Sequence, residues 1–366
     1  MNFKDFNIDE NLVQALAKIG IKEPTRVQLE SIPLIIDKRD LMIKSNTGTG
    51  KTLSFLLPLI DKILKKDIDS ILILAPTREL VLQINDMAVD IISHIGDENI
   101  KNTVNILPIY GGKDIKAQIN KLKNSINILV ATPGRLLDHI NRNTISVSKF
   151  DSIVIDEADQ MLLMGFRNEI DLIFSKIKKY DQTIFLSATL DSKVKKLVYR
   201  YSNNPIEVNI EEDAHVPDLI EQEFVFTNDR QKFEDFCYKI DHDQPFMAIV
   251  FCRTKARVDN LEEKLGQRKY NCKKIHSDIS QAKRERIMKD FRDLKIQFLI
   301  STDLSARGID VNGISHIYNY DFPERPEDYI HRIGRAGRIG KDGKSCSFVT
   351  EKNMSVYDEV KAILEK

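Results

Sequence analysis

A chain of 366 residues, 42% hydrophobic and 30% charged, has the balance of a globular protein and room for two domains with full cores. Its 55 Lys and Arg offset 55 Asp and Glu, so bulk charge does not mark a nucleic-acid binder. The longest apolar stretch, 53–60, contains Pro58 and is too short for a membrane span, and the N-terminus Met1-Asn2-Phe3-Lys4-Asp5 lacks a signal-peptide core; a cytoplasmic protein without membrane contact is expected.

Short β-branched runs alternate with amphipathic stretches of helical length. The first run, 41–44, leads into Ser45-Asn46-Thr47-Gly48-Thr49-Gly50-Lys51-Thr52 and then into a helical stretch over 52–65. Strand, glycine loop and helix form the context of a phosphate-binding loop. The amides of Thr47, Gly48, Thr49 and Gly50 can turn toward phosphate oxygens, with the helix N-terminus adding partial positive charge. Lys51 then reaches the β- and γ-phosphates of ATP, and the Thr52 hydroxyl holds Mg²⁺. The strict pattern has glycine where this chain has Ser45.

Further strands are expected at 71–75, 104–109, 126–130, 152–155 and 183–186, with a helix over 79–94. The apolar run 152–155 ends in Asp156-Glu157-Ala158-Asp159. Acidic clusters on loops are usually only solvated, but this one follows a buried strand downstream of a phosphate loop. There Asp156 is placed to hold Mg²⁺ through water, and Glu157 to orient and deprotonate the attacking water.

Near 209–217 the chain turns acidic, loses apolar periodicity and reaches Pro217, as a linker does. A second series follows, with strands expected at 223–226, 248–251, 273–276, 298–301, 316–319 and 346–349 and a helix over 283–291. Strands alternating with helices imply α/β architecture with mostly parallel sheets. The expected division is a domain over 1–208, a linker over 209–217 and a domain over 218–366. Residues 201–250 carry 3 basic against 12 acidic side chains and residues 251–300 carry 14 against 7. Taken alone, such a basic block reads as a solvated helix face. Cys237, Cys252, Cys272 and Cys346 form no close pair, which argues against a zinc knuckle or disulfide scaffold and for free buried thiols.

With the phosphate loop and Asp156-Glu157-Ala158-Asp159 in place, the sequence resembles the DEAD-box RNA helicases over almost its whole length. The resemblance implies two tandem RecA-like domains that clamp RNA and hydrolyse ATP. Gly20-Ile21-Lys22-Glu23-Pro24-Thr25-Arg26-Val27-Gln28 resembles the family's adenine-reading motif, with Gln28 on the base and Phe3 as the upstream aromatic; Ile21 stands where the family usually stacks an aromatic ring.

Pro76-Thr77-Arg78, Gly111-Gly112 and Thr132-Pro133-Gly134-Arg135 are similar to the first domain's RNA motifs, whose hydroxyls, amides and arginines suit phosphates rather than base edges. Ser187-Ala188-Thr189 matches the coupling motif, which implies hydrogen bonds from Ser187 and Thr189 to Asp159. In the second domain Arg253, His276 and Thr302 fall on RNA-side motifs, with Ser277 replacing the usual glycine. Asp310 falls on the ATP ribose, and Arg307 and His331 on the interdomain network. Arg335 and Arg338, three apart in His331-Arg332-Ile333-Gly334-Arg335-Ala336-Gly337-Arg338, fall on the γ-phosphate as arginine fingers. The resemblance implies local action on single-stranded and duplex RNA, with ribonucleoprotein or ribosome-assembly proteins as compatible partners, and a monomer is expected because the core needs no partner to complete its site. Two rivals share much of this motif set: a nucleotide-gated RNA clamp that rarely turns over, and a DNA helicase of the same architecture.

Overall fold

The protein is described by a computed structural model covering residues 2–45, 49–97, 101, 103–148, 150–210, 220–306, 313–336 and 343–365. Thr47, Gly48, Arg307, Asp310, Arg338 and most of the expected linker lie outside the described residues. The chain divides into two compact units, 1–212 and 213–366.

The first unit is built on a seven-stranded sheet, β1 (Leu41–Lys44), β2 (Ile71–Leu74), β3 (Ile106–Ile109), β4 (Ile128–Ala131), β5 (Ser152–Ile155), β6 (Gln182–Ser187) and β7 (Ile206–Asn209), in the order β3-β4-β2-β5-β6-β1-β7. Every paired strand is parallel. Because β5 and β6 insert between β1 and β2, the loops after β1, β5 and β6 become neighbours at one sheet edge.

The strand sequences explain the layering. In β2, Ile71 and Ile73 enter one hydrophobic cluster while Leu72 and Leu74 enter another; β1 and β4 alternate the same way. Helices Lys51–Leu64 and Arg78–Ser93 cover the first face, and helices Pro133–Asn141, Arg167–Lys176 and Ser192–Tyr201 the second. Side chains on both faces are buried, so the strands read as continuous apolar runs.

The second unit repeats the plan with β8 (Ile220–Phe226), β9 (Ala248–Phe251), β10 (Cys272–Ile275), β11 (Phe298–Ser301), β12 (His316–Asn319) and β13 (Gly343–Val349), ordered β10-β11-β9-β12-β13-β8 and again parallel. Ala248 and Val250 face one cluster, Ile249 and Phe251 the other. All four cysteines are free and buried. Among the described residues no helix is long and apolar enough to cross a membrane.

Strand positions follow the sequence expectation to within a few residues at their ends, with two corrections. β7 was not expected, since Val208 is its one buried side chain. Asn209, expected to open the linker, pairs with Lys44 in that strand, and the Ile210 N–H donates to the Lys44 carbonyl, so the first unit extends past 208.

Candidate active site

The carboxyl ends of β1, β5 and β6 carry the phosphate-loop, acidic and Ser-Ala-Thr segments. The helix that begins at Lys51 is capped by Gly50 at φ 91°, a left-handed conformation that favours glycine. Glycine is required there for a second reason: a Cβ would sit 2.5 Å from Gln28 Nε2. Lys51 is buried and its ammonium donates to the Ser45 carbonyl at 2.6 Å. The Ser45 hydroxyl shares a hydrogen bond with Thr49 at 2.7 Å, and the Ser45 N–H donates to the Ser187 carbonyl. Ser45, the departure from the glycine pattern, therefore braces the loop from within.

Asp156 follows β5 and is buried at 3% exposure. Burial pushes its carboxyl up to about 7; Lys51 pulls it down and Glu157 pushes it further up. This carboxylate lacks full cationic compensation, the electrostatic setting that a divalent ion or a polyphosphate-bound cation relieves. Among the described residues no group of three or more His, Cys, Asp or Glu could hold a metal. One carboxylate and the Thr52 hydroxyl instead fit Mg²⁺ that takes its remaining ligands from phosphates and water. Glu157 caps the next helix at φ 51°, an uncommon conformation for a non-glycine residue.

Asp159, Ser187 and Thr189 meet as a set. The Asp159 N–H donates to the Ser187 hydroxyl at 3.3 Å, the Thr189 hydroxyl donates to the Asp159 carboxylate at 3.3 Å, and the Ser187 hydroxyl donates to the Thr189 carbonyl at 2.6 Å. Of the two hydroxyls expected on the Asp159 carboxylate, Thr189 reaches it, whereas Ser187 at the end of β6 meets the Asp159 backbone N–H.

Of the two expected adenine-site residues, Phe3 sits differently from the expectation. Phe3 is a core side chain, 1% exposed and edge-on to Phe6, so its ring offers no face to a base. Gln28 is buried, with its amide partly engaged: Oε1 accepts from the Thr25 N–H at 3.0 Å and Nε2 donates to the Gly50 carbonyl at 3.0 Å. Thr25 and Gln28 form a capping box on helix Arg26–Ile36, and beyond these two bonds the side-chain amide keeps a second N–H and a second oxygen lone pair.

The first unit's expected RNA residues converge after β3. Thr77 caps helix Arg78–Ser93, and the Arg78 guanidinium lies against Gly111 and Gly112; Gly112 has φ 83° and a Cβ there would overlap that guanidinium. Pro76 lies in the buried run that follows β2 and continues through Thr77. Arg135 donates to the Lys113 carbonyl at 2.9 Å, the Thr132 N–H donates to the Ile109 carbonyl, and Pro133 opens the helix that Thr132 caps, while Gly134 faces open space.

In the second unit Arg253 is exposed and pairs with Glu324 at 3.3 Å. Thr302 is half-buried at the end of β11. His276, expected to face RNA, is instead buried with Nε2 at 3.1 Å from Asp259; the imidazole turns inward onto helix Lys255–Gln267. Arg335 is 7% exposed and lines a small cavity with His331, Phe251, Asp303, Asp328 and Arg332.

The sequence reading assigned no role to the residues that hold this segment. Arg332 grips Asp303 with two hydrogen bonds, at 2.5 and 2.7 Å, and donates to Asn319 Oδ1 and the Asp321 carbonyl. The Asp321 side chain takes Arg257 twice at 2.5 Å, Lys232 at 3.0 Å and the Arg253 N–H at 3.0 Å. Burial alone would raise its carboxyl, but Arg257 and Lys232 hold it below the usual carboxylate range. The available signal was an acid just past an apolar strand, the same pattern that flagged Asp156.

Comparisons with known proteins identify the family and the fold. The sequence matches the DEAD/DEAH box helicase family over residues 25–197 and the helicase conserved C-terminal domain family over residues 231–340. It is 40% identical to the DEAD-box ATP-dependent RNA helicase CshA of Bacillus subtilis, covering 97% of this chain and 71% of that one. It is likewise 40% identical to ATP-dependent RNA helicase CshA of Listeria monocytogenes, covering 100% and 69%. Among solved structures, S. cerevisiae Dbp5 bound to RNA and ADP BeF3 superposes with a TM-score of 0.86 at 26% identity, covering 99% of this chain and 93% of that one. A DEAD box protein from Methanococcus jannaschii gives 0.57 at 35% identity, covering 100% and 97%.

Proposed function

Since the chain belongs to the DEAD-box ATP-dependent RNA helicases, we propose that its first unit holds ATP at the edge formed by β1, β5 and β6, and that hydrolysis is coupled to closure of both units on single-stranded RNA. The observation that carries the reading is the buried Lys51 and Asp156 beside the Gln28–Gly50 contact, with Asp159 tied to Ser187 and Thr189 on the adjoining strand.

Lys51 and the loop amides take the β- and γ-phosphates. Thr52 and Asp156 hold Mg²⁺, which would neutralise charge on the phosphates. Gln28 selects adenine with the N–H and lone pair that its bonds to Gly50 and Thr25 leave over, and Asp310 holds the ribose. Glu157 orients the attacking water and accepts its proton. Arg335 and Arg338 stabilise charge at the γ-phosphate once the units close.

Thr77, Arg78, Gly111, Gly112, Thr132, Arg135, Arg253 and Thr302 contact the RNA backbone, so binding is indifferent to base sequence. Closure on a bent single strand expels its partner, giving local rather than processive unwinding, and binding of ATP and RNA is reciprocally favourable. Binding of RNA and ADP BeF3 by a relative of the same fold supports this reading.

The test is steady-state ATP hydrolysis alone, with single-stranded RNA and with DNA of matched sequence. Strong stimulation by RNA only is expected. Equal stimulation by DNA would move the substrate to DNA, and absence of turnover under all conditions would leave a nucleotide-gated clamp.

A further inference from the structure

Three rods run away from the nucleotide edge of the first unit: helix Arg26–Ile36, which carries Gln28; helix Lys51–Leu64, which starts at Lys51; and strand β6, which ends at Ser187. At the nucleotide edge they are joined by Gln28 Nε2 to the Gly50 carbonyl and by the Ser45 N–H to the Ser187 carbonyl. Their far ends are also joined, at one atom. The Ile35 carbonyl, in the last turn of the Gln28 helix, accepts from Lys62 Nζ at 2.5 Å and from Gln182 Nε2 at 3.2 Å, besides the local Lys38 N–H at 3.1 Å. Gln182 opens β6, donates also to the Arg39 carbonyl at 2.8 Å, and lies 3.5 Å from Lys62 through its Oε1.

Lys62 is unusual in kind. It is 4% exposed and forms no ion pair among the described residues; its partners are a carbonyl and an amide. Burial pushes its ammonium down to about 8, with Lys38 adding to the effect, while Asp67, Asp37 and Asp61 pull the other way without pairing. Burying a cation without a carboxylate is costly, and nothing in the ATP chemistry above uses it. What the cation does do is meet the negative end of a helix dipole and add a charged donor to a carbonyl that Gln182 and Lys38 also reach.

We propose that Lys62 is a positioning residue for adenine recognition: by pinning the C-terminal end of the Gln28 helix to the helix that begins at Lys51, it fixes where Gln28 stands relative to the phosphate loop. The lever is short. Lys62 lies eleven residues from Lys51 and Ile35 seven from Gln28, roughly 16 and 10 Å along their helices. The apolar side chains Val27, Ile32 and Ile35 pack this helix into the core but leave its position along the neighbouring helix to the polar ties at its two ends, Gln28–Gly50 and Lys62–Ile35.

This inference rests on the reading of Gln28 as the adenine contact, and the experiment separates the two. ATP and GTP hydrolysis are compared at saturating RNA for the full chain, Lys62→Met and Gln28→Ala. Lys62→Met is expected to raise KM for ATP about tenfold, the scale of one charged hydrogen bond. It should leave kcat for ATP and KM for GTP unchanged, since guanine does not use Gln28. A parallel rise in KM for both nucleotides, or an unchanged preference, overturns the proposal. Gln28→Ala should lose the preference for ATP; if it keeps that preference, the reading of Gln28 fails instead. Should Lys62→Met not fold, Gln182→Leu removes the other long-range donor to the Ile35 carbonyl and must lower the ATP preference in the same way; an unchanged preference there also overturns the proposal.

Discussion

Two buried lysines, one in each unit, are equally hidden from water and differently compensated. Lys62 in the first unit is 4% exposed and donates to neutral groups. Lys232 in the second is 3% exposed and pairs with the Asp321 carboxylate at 3.0 Å, which also takes Arg257 and the Arg253 N–H. The contrast extends to the surroundings. The first unit's nucleotide edge is braced by carbonyls, hydroxyls and an amide, leaving Asp156 only partly compensated by Lys51. The second unit fixes its segment near Arg335 with a web of ion pairs, Asp303–Arg332 and Asp321–Arg257–Lys232. On the proposed function, the edge that receives ATP keeps an incompletely compensated carboxylate, while the segment that carries Arg335 is held by neighbours whose charges are paired.

The contrast can be broken most severely at the delivered group. Arg335→Ala should lower RNA-stimulated ATP turnover by about 10³–10⁵ while nucleotide binding by the first unit persists. Turnover near that of the unaltered chain would mean that the web supports something other than catalysis. Next in size, Glu157→Gln should cut turnover by about 10²–10⁴, with ATP and RNA still bound; that is the loss expected for a general base. Single-turnover hydrolysis and filter binding separate the two effects.

Breaking the web tests its structural side. Asp321→Asn leaves Lys232 and part of Arg257 buried without their carboxylate, and losing one partner of a buried pair costs about 3–5 kcal/mol. The second unit should then melt at lower temperature while the nucleotide-stabilised transition of the first unit stays in place. A shift of both transitions together would show that the web's influence is not confined to its own unit.

Much of the fold was legible because its signals are local. Ile71, Leu72, Ile73 and Leu74 are apolar at every position because both sheet faces are covered, and the loop at Ser45–Thr52 declares itself by following such a run. β7 escaped because its one buried side chain, Val208, makes no pattern. The site was legible where a motif meets a strand end and illegible where it depends on long-range closure: Lys62 meets Ile35 across 27 residues, Gln182 meets Ile35 across 147, and Lys232 meets Asp321 across 89. Local context also misled. His276 and Phe3 stand in motif positions that suggest ligands, yet the pairing with Asp259 and the packing against Phe6 turn both inward.

The smallest expected effect sharpens the comparison between the lysines. With its ammonium pushed down to about 8 in the folded chain and an ordinary value of 10.5 when unfolded, Lys62 is charged in both states well below pH 8 and neutral in both well above 10.5. Between those limits the unfolded chain holds the proton and the folded chain does not. Stability therefore rises with pH through that window, because the unfolded state binds more protons there. Comparing thermal midpoints at pH 7.5 and pH 9.5, the wild-type chain should gain on Lys62→Met as the pH rises. A difference that stays flat would mean that the carbonyl and amide around Lys62 compensate its charge as fully as Asp321 compensates that of Lys232, and the distinction between the two units would then lie in their ligand chemistry rather than in how each buries its cations.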